Sequence, residues 1–133
     1  MEVVIDAKGG VLGRIASFAA KQALKGKKVI IVNAEKAIII GKPKKILEHY
    51  LAKFRRGTPN KGPFYSRTVI GIFKRTIRGM IAWKKAHGRE AFKRIKCYKS
   101  MPKEYEGKEK LSFEKKATNF ITLGELSKLI RQK

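Results

Sequence analysis

The stretch Val3-Val4-Ile5-Asp6-Ala7-Lys8-Gly9-Gly10, carried on through Ile15-Ala16 and Ala19-Ala20 to Val29-Ile30-Ile31-Val32, decides the fold. Val3 to Ile5 is a short β-branched run that suits a strand, and the glycines behind it suit a turn. Ile15, Ala16, Ala19, Ala20, Ala23 and Leu24 then recur at helical spacing. Gly26 stands where such a helix stops, and Val29 to Val32 has the unbroken apolar character of a strand covered on both faces. Strand, helix and strand in this order form a right-handed crossover, which makes the two strands parallel and lays the helix on one face of the sheet. The fold class is therefore α/β.

Beyond this unit, Ala37-Ile38-Ile39-Ile40 is a third apolar run. Its short connection to the second suits a hairpin better than a parallel crossover, and its pairing stays open. Pro43 opens a second helix with Ile46, Leu47, Tyr50, Leu51 and Phe54 on one stripe. Residues 55–68 hold two glycines, two prolines and no acid, which predicts an extended loop; Thr68 then caps a third helix. On that helix Val69, Ile70, Ile72, Phe73, Ile77, Met80 and Ile81 gather on one side, with Lys74, Arg75 and Arg78 opposite. A short helix near Arg89 to Lys93 leads into a fourth strand at Ile95 to Tyr98. Residues 102–116 alternate acids and bases and are expected as a surface excursion. Thr122 and Glu125 stand at capping-box spacing ahead of a terminal helix over 122–132 carrying Leu126, Leu129 and Ile130. One domain of 133 residues is expected.

Charge narrows the function. Lys and Arg number 33 against 10 Asp and Glu, a net +23, and self-repulsion of that size calls for a polyanionic partner. Residues 53–96 carry 14 of the bases and a single acid, Glu90. Solvated faces usually mix both signs, so this imbalance points to phosphate binding. The candidates in this segment are Lys53, Arg55, Arg56, Lys61, Arg67, Lys74, Arg75, Arg78, Lys84, Lys85, Arg89, Lys93 and Arg94. Arginine's planar fork favours it at bridging contacts. Lys8 and Arg14 flank the glycine turn and are also candidates. Phe64 and Tyr65, set between Lys61 and Arg67, are placed to stack on unpaired bases. Trp83 suits packing equally well.

Other chemistry has little to stand on. Cys97 is the single cysteine, and beside only His49 and His87 it gives no metal-ligand spacing, so neither a disulfide nor a metal is expected. Gly9, Gly10 and Gly13 evoke a dinucleotide turn, but Lys8 stands where the first glycine of that fingerprint belongs, and Glu35 has no independent support as a ribose ligand. There is one Asp, no nucleophile elbow and no Walker loop. No apolar stretch is long enough to span a bilayer and the amino terminus lacks the build of a targeting signal, so a cytoplasmic chain without cofactor, small-molecule substrate or membrane partner is expected.

Several blocks together carry a resemblance. Val4-Ile5-Asp6-Ala7-Lys8-Gly9, Leu12-Gly13-Arg14-Ile15-Ala16-Ser17, Val32-Asn33-Ala34-Glu35-Lys36, Thr76-Ile77-Arg78-Gly79-Met80, Gly88-Arg89-Glu90-Ala91 and Lys96-Cys97-Tyr98 resemble the family of large-subunit ribosomal protein thirteen. The run from Arg56 to Phe64 resembles its archaeal and eukaryotic branch. The chain departs from the pattern at Met80-Ile81-Ala82 and at Ala86. The resemblance implies a three-layer α/β/α domain with a four-stranded, mostly parallel sheet and a basic loop and helix extension. It further implies a non-enzymatic place in the large ribosomal subunit, bound to its RNA and beside its other proteins.

Overall fold

The computed structural model describes residues 2–55, 67–81 and 85–131, except for the side chains of Phe54 and Arg55. Strand β1 (Glu2–Asp6), helix α1 (Leu12–Leu24) and strand β2 (Lys28–Val32) form the expected crossover, with β1 and β2 parallel from Glu2 opposite Lys28 to Asp6 opposite Val32. Side chains alternate across the sheet. Ile5, Val29 and Ile31 join the core beneath the helices, while Val4, Ile30 and Val32 meet Tyr105 on the other face. Burial on both sides is what an unbroken apolar run encodes.

Alanine makes α1 fit. Ala16, Ala19, Ala20 and Ala23 are buried, and their small side chains leave room for two more helices to lie against α1. These are α3 (Val69–Arg78) and α4 (Ala86–Lys93). Gly26, at φ +92°, ends α1 with its N–H on the Ala23 carbonyl, as expected of a left-handed stop. Thr68 caps α3, its hydroxyl accepting from the Gly71 N–H at 3.1 Å. Strand β4 (Ile95–Cys97) runs parallel to β2 along its outer edge.

The third apolar run does not enter this sheet. β3 (Ile38–Ile40) pairs antiparallel with β6 (Phe120–Thr122), Ile39 opposite Ile121, in a separate two-stranded ribbon. The hairpin expectation fails because the Ile38 N–H is drawn to the Gly10 carbonyl at 2.9 Å, turning the chain away from β2. The fourth place in the sheet goes instead to β5 (Leu111–Ser112), parallel to β1, giving the order β4-β2-β1-β5. Part of the supposed surface excursion is thus an edge strand. Its approach, the 3-10 turn Lys103–Tyr105, covers the second face of the sheet as a thin outer layer.

Helices α2 (Pro43–Arg55) and α5 (Leu123–Arg131) close the far side of the helical core, where Leu123, Leu126 and Ile130 are buried. Leu24, Ile70, Met80 and Leu129, counted on the apolar stripes, are exposed. Leu24 and Met80 sit at or past helix ends, and Ile70 and Leu129 on the rim of their stripes. Among the described residues no helix is long and apolar enough to cross a membrane.

Candidate nucleic-acid interface

Because α3 and α4 both pack on α1, their solvent sides belong to one helical layer. Val69, Ile72, Phe73 and Ile77 turn α3 inward; Gly88 and Ala91 do the same for α4. The residues left outside include Arg75, Lys85, Arg89 and Lys93, all exposed, and Arg78, half-buried. Glu90, the lone acid of residues 53–96, is exposed in the same layer. Lys74 is half-buried, its Nζ 5.9 Å from the centre of the Phe92 ring, so it bridges α3 and α4. Arg67 is exposed just ahead of α3, and its carbonyl accepts from Ser127 Oγ at 2.6 Å, which moors the start of that helix to α5.

The other expected contacts are distributed differently. Arg94 is half-buried and one guanidinium N–H donates to the Ala23 carbonyl at 3.0 Å. It satisfies the carboxyl end of α1 as a strut. Lys53 lies on α2 with its Nζ 5.1 Å from the centre of the Tyr50 ring. Arg14 is exposed in the first turn of α1. Lys8 follows the carboxyl end of β1, whereas Lys93 and Arg94 precede the amino end of β4; parallel strands put these at opposite ends of the sheet. Lys96 alternates with buried Ile95 and Cys97, so it faces away from α4. Arg56, Lys61, Phe64, Tyr65, Trp83, Lys84 and the side chain of Arg55 lie outside the described residues.

Beneath the helical layer, burial pushes the Cys97 thiol up to about 12, with the nearby Lys74 charge pulling weakly the other way. A thiol held protonated is not a nucleophile. Asp6, the one aspartate, is taken by the fold: its Oδ1 accepts from the Lys8 N–H at 3.1 Å and from Asn33 Nδ2 at 3.0 Å. That tie holds Asn33 in a left-handed turn at φ 57°. The glycine turn is occupied by the chain itself. A Cβ on Gly9 would stand 2.9 Å from Glu114 Cγ, and one on Gly10 would stand 2.7 Å from Ile15 Cδ1 and 3.0 Å from Phe113 Cβ. Close packing, not a pyrophosphate, uses this pair. Among the described residues no group of three or more His, Cys, Asp or Glu could hold a metal ion.

Four lysines escaped the sequence reading. Lys36, Lys42, Lys115 and Lys116 join Lys8 around two adjoining clefts of about 410 and 630 Å³. Lys36, Lys42 and the Lys115-Lys116 pair come from three separate segments, so no single charge run announces them together.

The model of the family described as Ribosomal protein L13 matches residues 1–104. The chain belongs to the ribosomal protein L13 family. Among relatives, the large ribosomal subunit protein uL13 of Methanopyrus kandleri is 47% identical over 93% of this chain and 83% of its own length. That of Methanocaldococcus jannaschii is 44% identical over 94% of each chain. That of Archaeoglobus fulgidus is 41% identical over 96% of this chain and 86% of its own. A member of this family is a structural ribosomal component and not an enzyme. The family model ends before β5, the ribbon strand β6 and Lys115-Lys116, which the alignments to the three relatives still span for the most part.

Proposed function

We propose that this chain is a structural component of the large subunit of the cytoplasmic ribosome, seated on large-subunit ribosomal RNA beside other subunit proteins. The outer side of α3 and α4, with the basic residues that flank them, is the main RNA-facing surface. One observation carries this reading: residues 53–96 hold 14 bases against one acid, and the described part of that segment is mounted on a helical layer over a rigid sheet. Arg75, Arg78 and Arg89 grip phosphates, while Lys85 and Lys93 add charge without orientation. Shape more than sequence is recognised, because phosphates position a protein without reporting base identity.

The test is a salt titration of binding to large-subunit ribosomal RNA. With about 6–10 phosphates neutralised, affinity should fall by roughly 10³ to 10⁵ between about 50 and 200 mM salt. Folded ribosomal RNA should outcompete duplex DNA strongly. A flat salt response or equal affinity for duplex DNA would overturn the reading.

A further inference from the structure

The order β4-β2-β1-β5 contains a reversal. From β1 the chain passes over the helical face to β2 and on to β4. It returns across the other face, through the turn bearing Tyr105, to place β5 on the free side of β1. The segments that leave the carboxyl ends of β1 and β5 both turn onto the helical face, and a crevice opens where they run side by side. Here the crevice lies beyond Asp6 and Ser112.

Its walls are fixed by backbone hydrogen bonds. The Lys115 N–H donates to the Gly9 carbonyl at 3.0 Å, the Gly9 N–H to the Lys36 carbonyl at 3.0 Å, and the Ile38 N–H to the Gly10 carbonyl at 2.9 Å. Lys8, Lys36, Lys115 and Lys116 are exposed around it, with Glu114 as the one acid lining it among the described residues. The adjoining cleft adds Lys42 and shares Lys115 and Lys116. Between the two stands an apolar step: Phe120 and Ile40 are cross-strand partners, 41% and 46% exposed, each lining one cleft. Cations in a groove beside an exposed aromatic ring suit a single strand of nucleic acid, whose phosphates follow the charge while a base stacks on the ring.

We propose that this crevice binds a single-stranded segment of RNA, separate from the RNA held by α3 and α4, so that the protein ties two RNA segments together. The inference rests on the reading of the chain as an RNA-binding ribosomal component. Five lysines contact the backbone, and Phe120 supplies the stacking surface. An acidic protein tail would use the lysines but leave the ring without a role.

The full chain is incubated with an oligouridylate carrying 4-thiouridine, cross-linked by light, and its tryptic peptides are read by mass spectrometry. Cross-links are expected on two groups of peptides, those of α3 and α4 and the one carrying Phe120. In the double variant Lys115→Gln with Lys116→Gln, and in Phe120→Ala, the second group should fade while the first persists. The converse should follow from Lys85→Gln combined with Arg89→Gln. The lysine variant should also lower the salt slope of oligouridylate binding by about 1 to 2. Uridine monophosphate at equal nucleotide concentration should not displace the oligomer, which separates an RNA strand from a free nucleotide. All these side chains are solvent-exposed, and a melting temperature checks that each variant is folded. Cross-links on α3 and α4 with none on the Phe120 peptide would overturn the crevice and leave it to a protein neighbour. Displacement by the free nucleotide would overturn it too. Absence of cross-links on both groups would overturn the crevice as well, whereas loss of binding to folded large-subunit ribosomal RNA would instead overturn the RNA-binding reading itself.

Discussion

The helical layer and the crevice both gather cations, but the chain supplies them in opposite ways. On α3 and α4 the charges come from two neighbouring helices whose inner faces are bound to α1, so a local excess in sequence becomes a local excess in space. In the crevice Lys8, Lys36, Lys42 and Lys115-Lys116 belong to four segments, brought together only when β5 docks beside β1 and β6 beside β3. The first surface needs little more than helix formation and one packed face. The second exists only in the finished topology, so perturbing the fold should affect the two unequally.

The largest effect should come from removing what both share. Phe73 is fully buried between α3 and the sheet core, and Phe73→Ala should cost about 3–5 kcal/mol. Urea unfolding measures it. Since native domains hold only about 5–15 kcal/mol, both surfaces should fail together in this variant. A loss below about 1 kcal/mol would mean that α3 is not anchored as described.

Next in size, Gly9→Ala separates them. At φ +70° an L side chain costs roughly 1–2 kcal/mol, and the added Cβ meets Glu114 Cγ at 2.9 Å. The bond from the Lys115 N–H to the Gly9 carbonyl should loosen. Hydrogen exchange should therefore quicken at Lys115 and stay unchanged along α3 and α4. Uniform acceleration would show that the crevice is not an independently opening unit.

The same contrast explains what could be read from the sequence. Local periodicity placed β1, α1, β2, α3 and the Thr68 cap, because an amphipathic helix or a doubly buried strand is written in consecutive residues. It failed at Ile38 to Ile40, whose apolar run fits any strand; the partner is chosen by the Gly10 carbonyl and by β6, distant in sequence. It failed again at Leu111-Ser112, an exposed pair inside a mixed-charge stretch and too short to show a pattern, which takes its place beside β1 by strand pairing. The charge excess on the helices was visible as a run. Arg94 looked like its neighbours, yet its reach to the Ala23 carbonyl depends on where α1 ends. Phe120 gave no functional signal, since an aromatic in a strand usually faces a core.

A third effect separates the buried side of the helical layer from its surface. The Cys97 thiol titrates near 9 in the unfolded chain and at about 12 in the fold because burial penalises the thiolate. Between these values the unfolded chain holds fewer protons than the folded one. Stability should thus fall as pH rises above about 9, by up to about 1.4 kcal/mol per pH unit. Cys97→Ala should show a shallower decline over this window in denaturant titrations, with lysine titration common to both proteins. Parallel slopes would place the thiol in solvent contact. In the native wild type at pH 8, a small alkylating reagent should leave Cys97 unmodified until the chain is unfolded.

The smallest effect tests whether α3 is set by its own cap or by its packing. Thr68 Oγ1 accepts from the Gly71 N–H, one of the four donors that the first turn leaves unmatched. Thr68→Ala should cost about 1 kcal/mol and Thr68→Ser much less, since serine retains the acceptor. Thermal unfolding resolves the two. Ser127 ties the Arg67 carbonyl to α5 just ahead of the cap, so the helix start keeps a second mooring when the hydroxyl is lost. Fraying should then remain within the first turn, and the cations at Arg75 and Arg78, one and two turns further on, should keep their positions. RNA affinity in Thr68→Ala should follow wild type at low salt. A large loss of binding from this variant would mean that the cap, and not the buried face of α3, aims the helical charge.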